Sequence, residues 1–355
     1  MDIYAVIMAG GVGSRFWPRS KKKKPKQLIR IFGENTMIQD TALRLENIVK
    51  PENIFIITNV VQKERVEEQL PHIPKENVIA EPFGRNTAPA IALAAKIIEK
   101  RNPEAVMLTF PADHLITNVK EFHKTLQKAI NFAATSDGLV TIGIQPTHPE
   151  TGYGYIQFDE SEIGNGIYNV MNFAEKPNFK TATRFLKSGD FLWNSGMFIW
   201  RVDSILSEIK KYLPDLCDGL TALEPVIGKK KFDSVLETVY GKIRSVSIDY
   251  GVMEKSKKVF LVKSAFGWSD VGSWEAVYNL SEKDKNENAA IGDVYTKDVK
   301  GSYIFSPKKF SAVIGVENLI VINTENALLV CKRENAQDVK DVVEYLKLNE
   351  RKELL

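Results

Sequence analysis

The stretch Ile3-Tyr4-Ala5-Val6-Ile7-Met8-Ala9-Gly10-Gly11 decides the fold. Its apolar run predicts a strand buried on both faces, and the glycines predict a tight turn at the carboxyl end of that strand. Strand patterns of this kind lie at Tyr4–Met8, Asn53–Thr58, Val106–Phe110 and Leu139–Gly143. Amphipathic helix patterns lie between and after them, at Thr36–Ile48, Gln62–Leu70, Ala88–Lys100 and Lys120–Thr135. This alternation predicts an α/β fold with a doubly wound, mostly parallel sheet that binds ligands at the carboxyl ends of its strands.

Residues 146–280 have a mixed pattern. Predicted strands are Gly154–Phe158, Val170–Ala174, Met197–Trp200 and Val259–Val262, and predicted helices are Thr181–Lys187 and Val202–Tyr212. No linker rich in Gly, Ser or Pro separates this region from the first. We therefore expect it to add a substrate-binding half to the same sheet.

A charged stretch, Glu282–Glu287, indicates a boundary near residue 285. Beyond it come short predicted strands and one helix: Tyr303–Phe305, Ala312–Gly315, Leu319–Ile322, Ala327–Cys331 and the helix Ala336–Leu348. Short strands at this spacing predict a small β-domain or a β-helix. We expect residues 1–285 and 286–355 to form two domains.

Composition narrows the function. The formal net charge is only +3, from 48 basic and 45 acidic residues, which disfavours a general nucleic-acid or membrane binder. The chain has no apolar run of about 18 residues, so we expect no membrane span. Cys217 and Cys331 stand in no metal-binding spacing and suit a reducing cytoplasm. The histidines form no H-E-x-x-H pair, which disfavours a zinc hydrolase.

The loop after the first strand runs from Ala9 to Ser20, with Pro25-Lys26-Gln27 beyond it. Glycines allow backbone N–H groups to approach a polyphosphate, and Arg15 and Lys26 supply positive charge. Two familiar phosphate motifs do not match the letters. A dinucleotide fingerprint requires a small residue where Phe16 stands, and a P-loop requires Gly-Lys in place of Arg15-Phe16. A plain strand-to-helix turn without a ligand stays open on these residues alone.

Two acids stand in positions suited to a metal. Asp113 follows a buried predicted strand, and Asp270 lies within Gly267-Trp268-Ser269-Asp270-Val271-Gly272-Ser273-Trp274. Magnesium prefers oxygen ligands and needs one or two carboxylates when substrate phosphates complete its shell. Either acid could instead cap the helix that follows it.

These motifs together resemble the sugar-1-phosphate nucleotidylyltransferases, and within them the guanylyltransferase branch. The resemblance rests on G-G-x-G-x-R-x-x-P-x-S at Gly10–Ser20, P-K-Q at Pro25–Gln27, E-P-x-G-R-N-T-A-P-A at Glu81–Ala90, P-A-D-H at Pro111–His114 and W-S-D-V-G-S-W at Trp268–Trp274. Its order along the chain is the family's, over residues 3–280. The resemblance implies a Rossmann-like sheet of the GT-A type and a C-terminal left-handed β-helix that often helps form dimers.

The resemblance also implies roles for individual residues. The expected catalytic residues are Arg15, Lys26, Asp113 and Asp270, with Mg²⁺ on the two aspartates. The expected nucleotide-binding residues are Gly10, Gly11, Gly13, Ser14, Glu81, Pro82, Gly84, Asn86, Thr87 and Ala88. The expected sugar-binding residues are Gly154, Glu175, Lys176, Asn194 and Asp249. Taken singly, most of these strings have a plain alternative as turns, helix caps or surface ion pairs.

The implied reaction transfers GMP from GTP to mannose 1-phosphate, giving GDP-mannose and pyrophosphate. We expect a cytoplasmic homodimer that binds neither nucleic acid nor membrane. One alternative is a guanylyltransferase for another sugar 1-phosphate. A second is a non-catalytic sugar-nucleotide sensor, although such a protein would tolerate loss of Arg15, Lys26 or an aspartate, and all of them are present here.

Overall fold

The computed structural model describes residues 1–355 and divides them into two compact units. The first, called here the sheet unit, comprises Met1–Gly10, Thr41–Ala112 and Ile116–Trp268. The second, called the loop unit, comprises Gly11–Asp40, Asp113–Leu115 and Ser269–Leu355. The loop unit thus combines the C-terminal region with residues 11–27, which contain the predicted phosphate-binding motifs and are called here the phosphate-loop segment. The predicted boundary near residue 285 divides the chain into two consecutive stretches, whereas each of these units combines several separate stretches. That boundary stays a prediction.

One nine-stranded sheet forms the centre of the sheet unit. Its strands are β1 (Ile3–Met8), β2 (Ile54–Asn59), β3 (Val78–Glu81), β4 (Val106–Pro111), β6 (Leu139–Ile144), β7 (Tyr155–Gly164), β8 (Ile167–Ala174), β9 (Phe191–Arg201) and β10 (Val259–Ser264). Two-residue strands, β5 (Leu115–Ile116) and β11 (Trp268–Ser269), lie at the limits of the units. The order across the sheet is β3-β2-β1-β4-β9-β6-β10-β8-β7.

The sheet is mixed. β1 pairs in parallel with β2 and β4, β2 with β3, and β6 with β10. β9 is antiparallel to β4, β6 and β7, and β8 is antiparallel to β7 and β10. The strands from the first 145 residues therefore all run in one direction, and the region after residue 146 adds its strands to the same sheet. The expected α/β fold with one continuous sheet is confirmed, whereas the mostly parallel order holds for the strands of the first 145 residues and not for the whole sheet.

Ten α-helices accompany the strands. They are α1 (Met37–Leu43), α2 (Lys63–Gln69), α3 (Thr87–Glu99), α4 (Val119–Thr135), α5 (Phe179–Ser188), α6 (Val202–Tyr212), α7 (Pro214–Thr221), α8 (Phe232–Lys242), α9 (Trp274–Leu280) and α10 (Val339–Leu348). None of them is both long enough and apolar enough to cross a membrane. The helix α3 packs against α6 and α7, and most of its residues are buried in the main core of the sheet unit.

The loop unit contains a four-stranded sheet in the order β12-β13-β14-β15. Its strands are β12 (Ala289–Lys297), β13 (Tyr303–Ile314), β14 (Leu319–Asn323) and β15 (Leu328–Lys332). The first three are parallel and β15 is antiparallel to β14. Successive short parallel strands are the arrangement of a β-helix coil. The left-handedness of that coil stays a prediction.

Several predicted boundaries were wrong. The strands predicted at Tyr303–Phe305 and Ala312–Gly315 are parts of one strand, β13. The strand β12 was missed because most of its residues are exposed, so no buried alternation marks it. The helix predicted over Thr36–Ile48 ends at Leu43, and the chain continues in tight turns in which Leu45 and Ile48 donate to carbonyls three residues back. The short strand β3 was also missed.

Candidate active site

The phosphate-loop segment of the loop unit is held by hydrogen bonds to its carbonyl groups. The Ser20 hydroxyl donates to the carbonyl of Gly13 at 2.6 Å and lies 3.2 Å from that of Val12. The Gln27 amide donates to the carbonyl of Gly11 at 3.0 Å. Because the Ser20 and Gln27 side chains bond these carbonyls, residues of the segment itself hold its backbone in place.

Gly13 is required by the backbone. Its φ is 60°, in the left-handed region that favours glycine. A Cβ at this position would lie 2.7 Å from Cβ of Lys26 and 2.9 Å from the backbone nitrogen of Lys26. The glycine therefore lets the chain pass directly over Lys26. The next three residues, Ser14–Phe16, form a turn of 3₁₀ helix, in which Arg15 is exposed.

Lys26 and Asp113 form a close ion pair. The ammonium nitrogen lies 2.9 Å from Oδ2 of Asp113, and it also donates to the backbone carbonyl of Asp270. Burial alone would raise the pKa of Asp113, but attraction to Lys26 and His114 and the hydrogen bond from Lys26 outweigh it, so this pKa lies below its usual value. One lysine thus joins both predicted metal-binding aspartates.

Neither aspartate caps a helix through its side chain. The helix α9 is capped by Ser273, whose hydroxyl accepts from the backbone N–H of Ala276. The helix α4 is capped by Asn118, whose side chain accepts from the N–H of Glu121 at 3.1 Å. The capping alternatives considered for Asp113 and Asp270 are therefore wrong.

The oxygen donors present fit magnesium held together with a substrate. The carboxylate of Asp270 folds back over Gly272, where a Cβ would lie 2.9 Å from Oδ2, so the glycine makes room for it. No group of three or more His, Cys, Asp or Glu side chains forms a protein-only metal cage. The carboxylates of Asp113 and Asp270 are oxygen donors of the kind that magnesium takes when phosphate and water complete its ligand set.

In the sheet unit, Gly10 lies beside a buried carboxyl group. A Cβ on Gly10 would meet Oε2 of Glu81 at 3.6 Å, which is ordinary contact. Burial raises the pKa of Glu81 to about 7, and the neighbouring Tyr240 hydroxyl offsets this only in part. Oε1 of Glu81 and the Tyr240 hydroxyl both lack a hydrogen bond of normal geometry. Oε1 of Glu81 is therefore a buried acceptor whose neighbouring donor, the Tyr240 hydroxyl, does not satisfy it with normal geometry.

The segment after Glu81 is tied to residues 246–248. Ala88 donates to the carbonyl of Val246 at 3.1 Å, and the Thr87 hydroxyl accepts from the N–H of Ile248 at 2.8 Å. Asn86 caps α3 by accepting from the N–H of Thr87. The capping alternative is thus correct for Asn86, whereas Thr87 serves as a cross-link. Pro82 is half-buried, and Gly84 is exposed with no atom near its missing Cβ.

All five predicted sugar-binding residues lie together in the sheet unit. The Asn194 amide donates to Oδ1 of Asp249 at 2.9 Å, and the backbone N–H of Asn194 donates to the carbonyl of Gly154 at 2.8 Å. Lys176 forms an ion pair with Glu175, whose Oε2 occupies the place that a Cβ on Gly154 would take. The result is a compact group of two carboxyls, one amide and one ammonium.

Burial also raises the pKa of Asp249, to about 6. The nearby Glu175 adds to this shift, while the Asn194 amide and Lys176 act against it. Asp249 begins a π-helical turn, Asp249–Met253. Such turns are rare and occur often at functional sites.

The sequence reading missed several residues that shape these clusters. Ser20 and Gln27 lie inside the quoted motifs but were assigned no role. Tyr240 and Glu254 contact the site residues Glu81 and Glu175, Glu254 by accepting from the N–H of Glu175 at 3.2 Å. No local pattern marks Tyr240, because its neighbourhood with Glu81 arises only in the fold.

Comparison with known proteins decides the family. Residues 4–287 match the family described as Nucleotidyl transferase. The chain belongs to this family. The resemblance seen in the motifs is thereby confirmed, and the matched residues include every predicted site residue of this nucleotidyl transferase.

A second match covers residues 292–346, to the MannoseP isomerase/GMP-like beta-helix domain. This match confirms a β-helix-like segment at the C-terminal side of the nucleotidyl transferase. It agrees with the parallel stacking of β12, β13 and β14.

Three relatives illustrate the similarity. A mannose-1-phosphate guanylyltransferase of Klebsiella pneumoniae is 42% identical over 353 residues, which cover 98% of this chain and 74% of the relative. Another, from Escherichia coli (strain K12), is 40% identical over 362 residues, covering 99% and 75%. A solved structure from Thermus thermophilus, named mannose-1-phosphate geranyltransferase, has a TM-score of 0.89 and 31% identity and covers 98% of this chain and 100% of that one.

Proposed function

We propose that this nucleotidyl transferase transfers GMP from GTP to mannose 1-phosphate, giving GDP-mannose and pyrophosphate. The observation that carries the proposal is the 42% identity to a mannose-1-phosphate guanylyltransferase over 98% of the chain. The geometry supports it, because the chain has one cluster suited to polyphosphate and a second suited to sugar hydroxyls.

The reaction is a direct displacement. A phosphate oxygen of mannose 1-phosphate attacks the α-phosphorus of GTP, the bond from that phosphorus to the bridging oxygen breaks, and pyrophosphate leaves with the electron pair. Positioning and charge stabilisation supply the rate, so no covalent enzyme intermediate is needed. Arg15 and Lys26 stabilise the charge that develops on pyrophosphate. Asp113 and Asp270 would hold magnesium, which when bound neutralises phosphate charge.

The second part of the proposal concerns base recognition. Guanine presents N–H donors along one edge, and Oε1 of Glu81 is a buried acceptor without a hydrogen bond of normal geometry. Pro82, Gly84, Asn86, Thr87 and Ala88 would shape the walls around this edge, while Gly10, Gly11, Gly13 and Ser14 would approach the phosphates. A site built for these hydrogen bonds leaves a polar group unpaired with another base, so it should discriminate strongly.

The sugar would be held by the cluster around Asn194. The carboxyls of Glu175 and Asp249 can accept hydrogen bonds from neighbouring sugar hydroxyls, and Lys176 can contact the phosphate. Gly154 leaves the space that Glu175 occupies. Hydroxyl-accepting carboxyls in a fixed array distinguish sugars by stereochemistry, which favours one sugar 1-phosphate over its epimers.

The decisive experiment incubates the protein with GTP, Mg²⁺ and mannose 1-phosphate and measures GDP-mannose. We expect product, with ATP and dTTP at least about a hundredfold less efficient. Faster turnover of another sugar 1-phosphate would support the alternative sugar. Binding of GTP without turnover of any sugar phosphate would support the sensor and overturn the proposal.

We also propose that residues 1–285 are the catalytic domain and residues 286–355 the β-helix domain, and that the protein is a cytoplasmic homodimer. Exposed apolar side chains support an interface in the second domain. Leu328 and Val330 are 57% and 54% exposed on β15, which is an edge strand with an unpaired backbone edge.

Light scattering tests the dimer. The double variant Leu328→Lys/Val330→Lys should be monomeric at micromolar concentration, because lysines on an edge strand oppose pairing. Ile163→Lys, which replaces an exposed apolar residue of the sheet unit, is the matched control and should stay dimeric. A monomeric unmodified protein would refute the dimer, and a dimeric double variant would place the interface elsewhere.

A further inference from the structure

Trp17 lies two residues after Arg15. Its indole ring and its backbone carbonyl each form a hydrogen bond with a distant part of the loop unit. Its indole N–H donates to the carbonyl of Leu354 at 3.0 Å. Its own carbonyl accepts from the indole N–H of Trp274 at 3.1 Å. The side chain is only 7% exposed. A buried indole N–H that loses its partner destabilises the structure, so both bonds constrain the loop.

The contacts continue from Trp17 to the charged cluster. The ring of Phe16 lies 5.0 Å from the ring of Trp274 and is fully buried. The ammonium nitrogen of Lys26 lies 5.4 Å from the centroid of the same Phe16 ring. Since Lys26 bonds Asp113, an unbroken series of contacts joins Leu354 to the proposed phosphate and metal site.

Two further side chains attach the same loop to the C-terminal region. The guanidinium of Arg19 lies 4.0 Å from the ring centroid of Phe305 and donates to the carbonyl of Arg30. Lys21 donates to the carbonyl of Glu353 at 3.3 Å. Arg19 and Lys21 are therefore engaged with groups away from Asp113 and Asp270, whereas Lys26 contacts both of these residues.

We propose that Trp17 is a positioning residue, and that the C-terminal residues around Leu354 hold the phosphate loop in its working geometry through it. This inference rests on the proposed roles of Arg15 and Lys26. The physical reason is preorganisation. A glycine-rich loop samples many conformations, and a site works fastest when neighbouring contacts have already fixed its charged groups. The β-helix domain then supports catalysis by ordering this loop, although none of its side chains takes part in the reaction.

The alternative is that Trp17 only fills the core, and matched tryptophan variants separate the two. Trp17→Phe keeps an aromatic ring and removes the donor to Leu354. Trp274→Phe removes the donor to the Trp17 carbonyl. Trp200→Phe is the control, because Trp200 is fully buried in the sheet unit and its indole N–H has no partner. All three lose similar packing, but only the first two lose a loop contact.

Two measurements are made on the full chain. Amide hydrogen exchange of the ligand-free protein reports loop order, since Phe16, Trp17, Arg19 and Ser20 all donate local backbone hydrogen bonds. Steady-state kinetics reports kcat and the KM for mannose 1-phosphate. For Trp17→Phe we expect exchange within residues 11–20 to rise about tenfold and kcat to fall about tenfold, as a loss of about 1.4 kcal/mol implies, with an unchanged KM for the sugar phosphate.

The same pattern, in smaller degree, is expected for Trp274→Phe, while Trp200→Phe should lower Tm and leave kcat and loop exchange unchanged. If Trp17→Phe and Trp274→Phe both keep the exchange of the unmodified protein, the inference is overturned. It is also overturned if Trp17→Phe and Trp274→Phe behave like Trp200→Phe, with a lower Tm and an unchanged kcat. Should the protein catalyse no guanylyl transfer, the proposed function fails, and the exchange data still decide whether Leu354 orders the loop.

Discussion

In the loop unit, Asp113 lies 2.9 Å from a lysine, whereas in the sheet unit Glu81 and Asp249 are carboxyls with no ion pair. The pKa values move in opposite directions as a result. Lys26 keeps the pKa of Asp113 below its usual value, while burial raises that of Glu81 to about 7 and that of Asp249 to about 6. The difference teaches that an adjacent lysine keeps Asp113 ionised, whereas burial without such a partner favours the neutral forms of Glu81 and Asp249.

The variants with the largest expected effect remove a negative charge from the loop unit. Asp113→Asn and Asp270→Asn should each lower turnover by about a hundredfold to a thousandfold, because each removes a negative charge that would hold magnesium against the substrate phosphates. Single-turnover rates with saturating GTP are the measurement. Asp137→Asn, which removes an exposed acid paired with Lys258, should have no effect. Near-normal turnover in either site variant would exclude that aspartate from the proposed metal site.

A pair of glycine substitutions sharpens the comparison. Gly13→Ala forces a Cβ to within 2.9 Å of the Lys26 backbone at a positive φ, so kcat should fall about tenfold. Gly154→Ala instead displaces Glu175 and should raise the KM for mannose 1-phosphate with a smaller change in kcat. Gly241→Ala has open space and is the control. Equal effects of both variants on kcat would mean that the two clusters do not have separate roles.

The smallest expected effect is on pH dependence. Glu81 has a pKa of about 7, so its ionised fraction falls from about 90% at pH 8 to about 10% at pH 6, and the KM for GTP should rise up to about tenfold. The kcat at saturation should change little, since the pKa of Asp113 lies far below this window. Glu81→Gln should abolish the slope in KM. A slope that persists in this variant would assign the titration to another group.

The raised pKa of Glu81 also predicts how the stability of the folded protein depends on pH. The folded protein holds a proton on Glu81 at pH values where the unfolded chain has lost it, because the folded pKa lies above 4.5. The contribution of this group to the free energy of unfolding is therefore present below pH 4.5 and is lost as the pH rises to about 7. Thermal unfolding of the parent and of Glu81→Gln between about pH 5 and 8 measures it, and parallel Tm profiles would contradict the shift.

Sequence patterns predicted the parts of the molecule that local chemistry specifies. Apolar runs located the central strands, and the order of motifs located Lys26, Asp113 and the cluster around Asn194. The patterns did not predict β12, whose exposed residues carry no alternation of burial. They also gave Trp17 no role, because its partner Leu354 is 337 residues away. Contacts of that separation depend on the completed fold.

The loop unit is assembled from three separate stretches of chain, and this governs the order in which the protein matures. During synthesis, residues 11–40 emerge early, but Ser269–Leu355, which complete the same unit, emerge long after them. Chains fold as their partners become available. Strands β1 to β4 can pair while the ribosome is still working, since they lie within the first third of the chain. The segment that carries Arg15 and Lys26 reaches its folded surroundings only after residues 269–355 have been made, so the proposed phosphate site forms later than the strands that it follows in the sequence.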